Sequence, residues 1–283
     1  MSPKSLYIVV EGKRHDKAYY GLIAESSKVL AGNYEVAKIE SIYTGGGKDS
    51  ILQVFESMRV RNHLIQITST GPKAAVFMLD RDAQNICGGL KRHRHVFYSR
   101  AYDVEADILI NGDPKSALCI TAGITPAESE TLSKALGEWH RDVALEWREW
   151  IILCLLSHML GIGSRANYSR STVSSDDIKH IDSVRNQIHQ SSGLDNAEFS
   201  KLESDIRSRV YRIYAQGKSH TLLKGKWLPN YLRQRVSTHF NEGDQPDLAD
   251  FEKRVVGNFM ATLDPSRGPW ARRYREPWES LIS

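Results

Sequence analysis

Tyr7-Ile8-Val9-Val10-Glu11-Gly12-Lys13 is an apolar run that stops on a glutamate and a glycine, and Ala75-Val76-Phe77-Met78-Leu79-Asp80-Arg81-Asp82 is a second run that stops on two aspartates one residue apart. Continuous apolar runs of this length read as strands buried on both faces, as in a parallel sheet. Carboxylates that follow such strands lie where open α/β sheets build their sites. The two stretches therefore predict that Glu11, Asp80 and Asp82 meet at one edge of a sheet around a divalent metal, with the rest of the chain positioning a phosphodiester against it.

Working outward, residues 16–31 carry apolar side chains at helical spacing, and residues 35–41 alternate like a short strand. Gly45-Gly46-Gly47-Lys48 then opens a helical stretch through Met58. A glycine loop before a helix can cradle a phosphate, but this one lacks P-loop spacing, so the run reads first as a tight turn. Val96-Phe97-Tyr98 is a further short strand, and Tyr102 to Leu109 is a strand-like segment carrying Asp103, Glu105 and Asp107. Strands alternating with helices predict an α/β fold with a mainly parallel sheet flanked by helices.

From Thr125 the pattern becomes helical. Thr125-Pro126-Ala127-Glu128 is a helix start, with a capping threonine, proline at the first position and glutamate three after the cap. One long helix is expected from there to Leu160, then a serine-rich linker and helices near residues 176–190, 197–216, 228–240 and 248–263. The expected division is a catalytic domain over residues 1–120 and a helical domain over residues 121–283, the latter for a partner, a dimer or nucleic acid. Trp147, Trp150, Ile151 and Leu155 suit a partner or homodimer surface and equally suit a core.

The chain has 283 residues, a formal charge of +4 and a pI near 8.8, too mild a balance to argue for a nucleic-acid partner by itself. Three widely spaced cysteines without a CxxC pair point to a reducing compartment and to neither a zinc site nor a disulfide framework. No run approaches the roughly 20 residues of a membrane span and no secretory signal is visible, so no membrane and a cytoplasmic location are expected.

Magnesium or manganese takes hard oxygen ligands, and aspartates at i and i+2 of a straight strand project to one face, which would let Asp80 and Asp82 bracket one ion. Glu11 would serve as a ligand or as general base to the attacking water, and Lys13 would stabilise charge developing on the phosphate. Glu11-Gly12-Lys13 with Asp16 and Tyr19-Tyr20, the Gly45-Gly46-Gly47-Lys48 turn, Leu79-Asp80-Arg81-Asp82, Tyr102-Asp103-Val104-Glu105 and, later, Gly217-Lys218-Ser219-His220 resemble an OLD-related, Toprim-like nuclease family of bacterial defence proteins. Its members include effectors of PARIS anti-phage systems, which work with an ABC-type ATPase partner. The resemblance covers residues 5–110 and, loosely, 215–235.

That resemblance implies a Toprim-like sheet, Mg²⁺ or Mn²⁺ as cofactor, and Glu105 and Asp16 as further metal ligands. Many Toprim proteins place a second acid four residues after the glutamate. Here His15 stands in that place and Asp16 follows, either reaching a second ion or capping the helix. Asp103, Glu105 and Asp107 share one face of a strand, and the spacing does not choose among them.

Residues 207–235 hold eight lysines and arginines and no aspartate or glutamate, interleaved with Tyr211, Tyr214, Trp227 and Tyr231. Cations neutralise phosphates and aromatics stack on unpaired bases, so Arg207, Lys218, Lys224, Lys226 and Arg233 are candidate nucleic-acid contacts. Lys91, Arg92 and Arg94, in the loop after Asp82, are further candidate nucleic-acid contacts, expected close to the metal by chain connectivity. The function expected is a metal-dependent endonuclease acting on RNA, such as tRNA, ahead of DNA, as the toxic effector of an anti-phage system under an ABC-type ATPase. A non-catalytic binding subunit of an ATPase complex is the alternative.

Overall fold

The computed structural model describes residues 4–12, 14–240 and 245–283. In chain order the elements are β1 (Leu6–Val10), α1 (Asp16–Glu25), β2 (Tyr34–Lys38), α2 (Gly47–Val60), β3 (Ile65–Thr68), β4 (Gly71–Leu79), α3 (Gln84–Cys87), β5 (Val96–Tyr98), α4 (Val104–Asn111), α5 (Pro114–Ala122) and α6 (Pro126–Leu136). There follow α7 (Trp139–Glu146), α8 (Arg148–Leu160), α9 (Ser175–Lys179), α10 (Ile181–Ser192), α11 (Asn196–Ala215), α12 (Leu228–His239), α13 (Phe251–Ala261) and α14 (Pro269–Ile282). The fold is α/β, a mostly parallel sheet flanked by helices with a helical region after it.

Two compact units are interleaved along the chain. The first comprises Met1–Asp80, Lys91–Arg100 and Leu263–Ser283, and the second Arg81–Leu90 and Ala101–Thr262. Residue 120 thus lies within the second unit, and the sheet-bearing unit is built from three separate stretches instead of one amino-terminal block.

In the first unit β2, β1 and β4 run parallel side by side. β5 adds in parallel to the carboxyl half of β4, with Phe77 opposite Val96 and Leu79 opposite Tyr98, while β3 pairs antiparallel with its amino half. β3 escapes the sequence pattern because it is short and half in solvent, Ile67 being 82% exposed. From Ala74 to Leu79, β4 is buried throughout. Phe77 packs edge-on against Phe55 of α2 at 5.4 Å, and Phe97 packs edge-on against Trp278 of α14 at 6.2 Å. Phe97 is in register with Met78, whose side chain points away from that of Phe77, so α2 and α14 cover opposite faces of the sheet.

The helix α14 buries Trp270, Tyr274, Trp278 and Leu281, a stripe at spacings of four and three. Trp270 stacks on Tyr19 at 5.4 Å, and Tyr20 lies edge-on to Tyr274 at 5.8 Å and to Trp278 at 6.3 Å. Pro277 sits inside this helix, a position that ordinarily costs about 3 kcal/mol, so the aromatic packing outweighs a local propensity set against it.

In the second unit the single helix expected over Thr125–Leu160 is three. The capping box forms as expected, Thr125 accepting from the Glu128 amide while the Glu128 carboxylate accepts from the Thr125 amide. Gly137 then adopts a left-handed φ of 49° and ends α6, and Trp147 breaks α7 from α8. Trp147, Trp150, Ile151 and Leu155 are all buried within the unit and form its core, so they do not present a partner or dimer face. Tyr102, Tyr168 and Trp227 stack in sequence at 4.7 and 5.2 Å. No described helix is long and apolar enough to cross a membrane.

Candidate functional site

The register Leu6 to Ala74 through Val9 to Phe77 brings β1 and β4 to their ends side by side, pointing the same way. Glu11 follows the first strand and Asp80 the second, so the first unit places both at one edge of its sheet, the carboxyl edge. Asp80 is 4% exposed. Gly12 turns the chain just after Glu11 with φ of 93°, a conformation that L side chains rarely adopt.

Two residues passed over in the sequence lie at the same edge. Glu40 follows β2, the strand on the other side of β1, and its carboxylate stands 3.7 Å from where a Cβ on Gly12 would be and 3.2 Å from one on Gly46. The rule that singled out Glu11 and Asp80, an acid after a strand, would have found it had the strand read over residues 35–41 been ended at Lys38, where β2 ends. Lys48 is the second. The glycine turn starts α2 with Gly46 as cap residue, and the Lys48 ammonium donates to the main-chain carbonyl of Asp80 at 2.8 Å and lies 5.4 Å from the centre of the Tyr98 ring.

Asp82 belongs to the second unit and is not on a straight strand. β4 ends at Leu79, and Asp82 takes a left-handed φ of 50° with its amide bonded to the Tyr102 carbonyl at 3.0 Å. The two-residue parity that would put both aspartates on one face therefore does not apply, because the chain is already turning. Lys13 lies outside the described residues. Asp16 is buried at the first position of α1, where its charge suits the helix dipole, but the cap residue is His15 and makes no side-chain capping bond. Asp16 is thus not the cap the spacing suggested.

Tyr20, on α1, lies within electrostatic reach of Asp16 and Asp80. Burial, and then the charges of Tyr274, Asp16, Asp80 and Tyr19, hold its phenol well above the usual tyrosine range. Its buried hydroxyl has no hydrogen-bonding partner among the described residues. Tyr20 is therefore a buried, neutral hydroxyl.

Glu105 sits on a helix and not after a strand. Asp103 caps α4, accepting from the Ala106 amide at 2.9 Å, and also accepts from the Gly225 amide at 3.0 and 3.1 Å. Asp107 accepts from the Ala101 amide at 2.8 Å. Both aspartates are therefore engaged by main-chain amides, and the strand-face argument for the trio falls. Glu105, in the first turn and 9% exposed, has no hydrogen-bonding or ion-pair partner among the described residues, so of the three it is the one whose carboxylate is left for a ligand.

Among the described residues no three His, Cys, Asp or Glu side chains come together to hold a metal ion, so the expected set Glu11, Asp16, Asp80, Asp82 and Glu105 is not assembled as a cage. Magnesium is usually bound through one or two carboxylates, with water and substrate phosphate completing the shell. Glu11 and Asp80, hard oxygen donors at neighbouring strand ends, fit that requirement as a pair.

The basic candidates divide. Arg207 pairs with Glu149 at 2.7 Å and with Glu203 at 3.1 Å, Arg233 with Glu252 at 3.2 Å, and Lys224 donates to the carbonyls of Tyr168 and Arg170. These three cations have protein partners. Lys218 is exposed and bonds its neighbour Gln216 at 3.2 Å, and Lys226, Arg92 and Arg94 are exposed. Lys91 pairs with Glu56 and lies over the Phe55 ring. The Lys91–His95 run is at the amino end of β5, level with Ala75, to whose carbonyl His95 donates through Nδ1 at 2.6 Å. At about 3.3 Å per residue His95 is displaced along the sheet from Asp80, whereas the Lys91 amide donates to the Tyr98 hydroxyl at 2.8 Å, at the strand end where Tyr98 is opposite Leu79. The aromatics of residues 207–235 are mostly core: Trp227 and Tyr231 are buried and Tyr214 bonds the Ala144 carbonyl, which leaves Tyr211, under the Arg148 guanidinium, as the exposed ring.

Against known proteins, the chain matches no family model and no curated relative.

Proposed function

We propose that this protein is a metal-dependent endonuclease, with RNA favoured over DNA, whose site is centred on Glu11 and Asp80. The observation that carries the reading is that two carboxylates, one of them buried, follow neighbouring parallel strands at the same edge of the sheet. Resemblance of the surrounding motifs to OLD-related, Toprim-like nucleases supports it. The same resemblance supports a role as toxic effector of an anti-phage system with an ABC-type ATPase as partner.

A Mg²⁺ or Mn²⁺ ion bound by Glu11 and Asp80 would neutralise charge on the scissile phosphate and on the leaving oxygen. Glu11, at the more open of the two positions, takes the proton from the water that attacks phosphorus. The new phosphorus–oxygen bond forms as the bond to the leaving nucleoside oxygen breaks, and that oxygen takes a proton from solvent. Asp80, held by burial, keeps its carboxylate in place.

The test is cleavage of a structured RNA and of plasmid DNA by the parent chain and by Glu11→Gln and Asp80→Asn, with Mg²⁺ and with chelator. Each substitution should lower the rate by about 100-fold or more while the thermal melt is retained. Undiminished cleavage in Glu11→Gln would overturn the reading. A parent chain that binds nucleic acid or an ATPase and cleaves neither substrate would establish the binding-subunit alternative.

A further inference from the structure

We infer that Lys48 is a positioning residue of the strand-end site, holding Asp80 from behind. The inference rests on the site proposed above. Three elements converge on this side chain. The glycine turn delivers it, since Gly45 and Gly47 take φ of 140° and 77° and so allow α2 to begin where Lys48 is in its first turn. That turn is itself fixed: the Ser50 hydroxyl donates to the Gly46 carbonyl at 2.9 Å, and a Cβ on Gly46 would crowd Glu40. β4 supplies the acceptor, the Asp80 carbonyl at 2.8 Å. β5 supplies a platform, the Tyr98 ring at 5.4 Å, opposite Leu79 in the register.

The platform is anchored in turn, because the Tyr98 hydroxyl accepts from the Lys91 amide at 2.8 Å. Asp80 is the first residue past the ladder that holds β4 to β1 and β5, and the Lys48 ammonium bonds its carbonyl there. An ammonium held by a ring and a helix start thus anchors the chain just past the strand. Because the residues before Asp80 are held in the sheet, fixing its carbonyl sets the rotation about its Cα–C bond and so the direction in which the side chain leaves the chain. Lys48 acts through Asp80 and is not assigned contact with the reacting atoms.

Two effects of removing the lysine have opposite signs. Loss of a nearby positive charge would by itself tighten cation binding, whereas loss of positioning would weaken it. The experiment is Mn²⁺ binding, followed directly by electron paramagnetic resonance, together with cleavage kinetics, for Lys48→Met, Lys48→Arg and Asp80→Asn. Lys48→Met is expected to weaken Mn²⁺ binding by about 10- to 100-fold, as supporting residues around metal ligands do, and to lower kcat more than it changes KM. Lys48→Arg should recover part of both.

Mn²⁺ affinity equal to or above the parent's in folded Lys48→Met overturns the inference, whatever the rate does. If Lys48→Met does not fold, Tyr98→Leu removes the platform and is read by the same binding measurement, with weaker Mn²⁺ binding expected and unchanged binding overturning the role. Cleavage and Mn²⁺ binding that survive in Asp80→Asn sink the strand-end site itself. Their loss there, with Lys48→Met unchanged, sinks only the role of Lys48.

Discussion

A Cβ at position 225 would overlap the Ala106 amide nitrogen, Asp103 Oδ1 and the Glu105 Cβ. Glycine is required here by space, because the Gly225 amide must reach the Asp103 carboxylate that also caps α4. Gly225→Ala should therefore cost at least the 1–3 kcal/mol typical of overpacking, read as a lower urea midpoint with an unchanged m value. The same close approach bears on Lys224 and Lys226, two of the candidate nucleic-acid contacts, which flank Gly225. The glycine and the first lysine serve the packing of the second unit, Lys224 by bonding two carbonyls, and only Lys226 faces solvent.

Among the helices, α8, α10 and α11 are joined by a chain of charges in which Glu203 of α11 accepts from Arg185 of α10 at 2.5 and 2.8 Å and from Arg207 at 3.1 Å, and Arg207 reaches Glu149 of α8. Burial would raise the Glu203 carboxyl, but the bonds from Arg185 and Arg207 prevail and hold it below the usual glutamate range. Asp177 is lowered in the same way, its own burial outweighed by the Ser174 amide, Arg170, the Ser174 hydroxyl and Arg165. A carboxyl whose folded value lies below its unfolded one contributes stability above the unfolded value and loses it as pH falls through the folded one. Urea unfolding should therefore show stability falling as the pH drops below about 4.5, the ordinary glutamate value. In Glu203→Gln that slope should be shallower, with a loss at neutral pH of about 1–2 kcal/mol, since both arginines are a third exposed.

The elements legible in the sequence were those with a strong local pattern. β1, β4 and the capped start of α6 each carry an unbroken apolar run or a complete capping box. What did not show locally was decided by packing. β3 has no buried alternation, the break at Trp147 has no breaker residue, and Tyr102–Leu109 reads as a strand although Asp103 caps it as a helix. At the site, Glu11 and Asp80 were legible because an acid after an apolar strand is a one-dimensional signal. Lys48 was not, because its meaning depends on a carbonyl 32 residues away.

At the scale of the whole molecule, the first unit is closed by a helix from the far end of the described chain, with the Ser27 hydroxyl bonded to Glu279 across 252 residues at 2.5 Å. A chain ending after Thr262 would leave Tyr19, Tyr20 and Phe97 without Trp270, Tyr274 and Trp278 against them. Hydrogen exchange in such a truncated chain should show protection lost across α1 and β1 but kept in α8 of the second unit. Pairings this distant in sequence also make closure of the first unit slow relative to the locally wired helices.

The placement of α14 also bears on how the protein is made. Domains commonly fold from the amino end while synthesis continues. Here β1 leaves the ribosome early and α14 late, so a nascent chain carries Glu11 and Asp80 on a sheet whose aromatic face is still bare. A cell translating this message holds no finished first unit until the ribosome has passed Trp278, and the time taken to read the intervening stretch delays the strand-end acids from reaching their final setting.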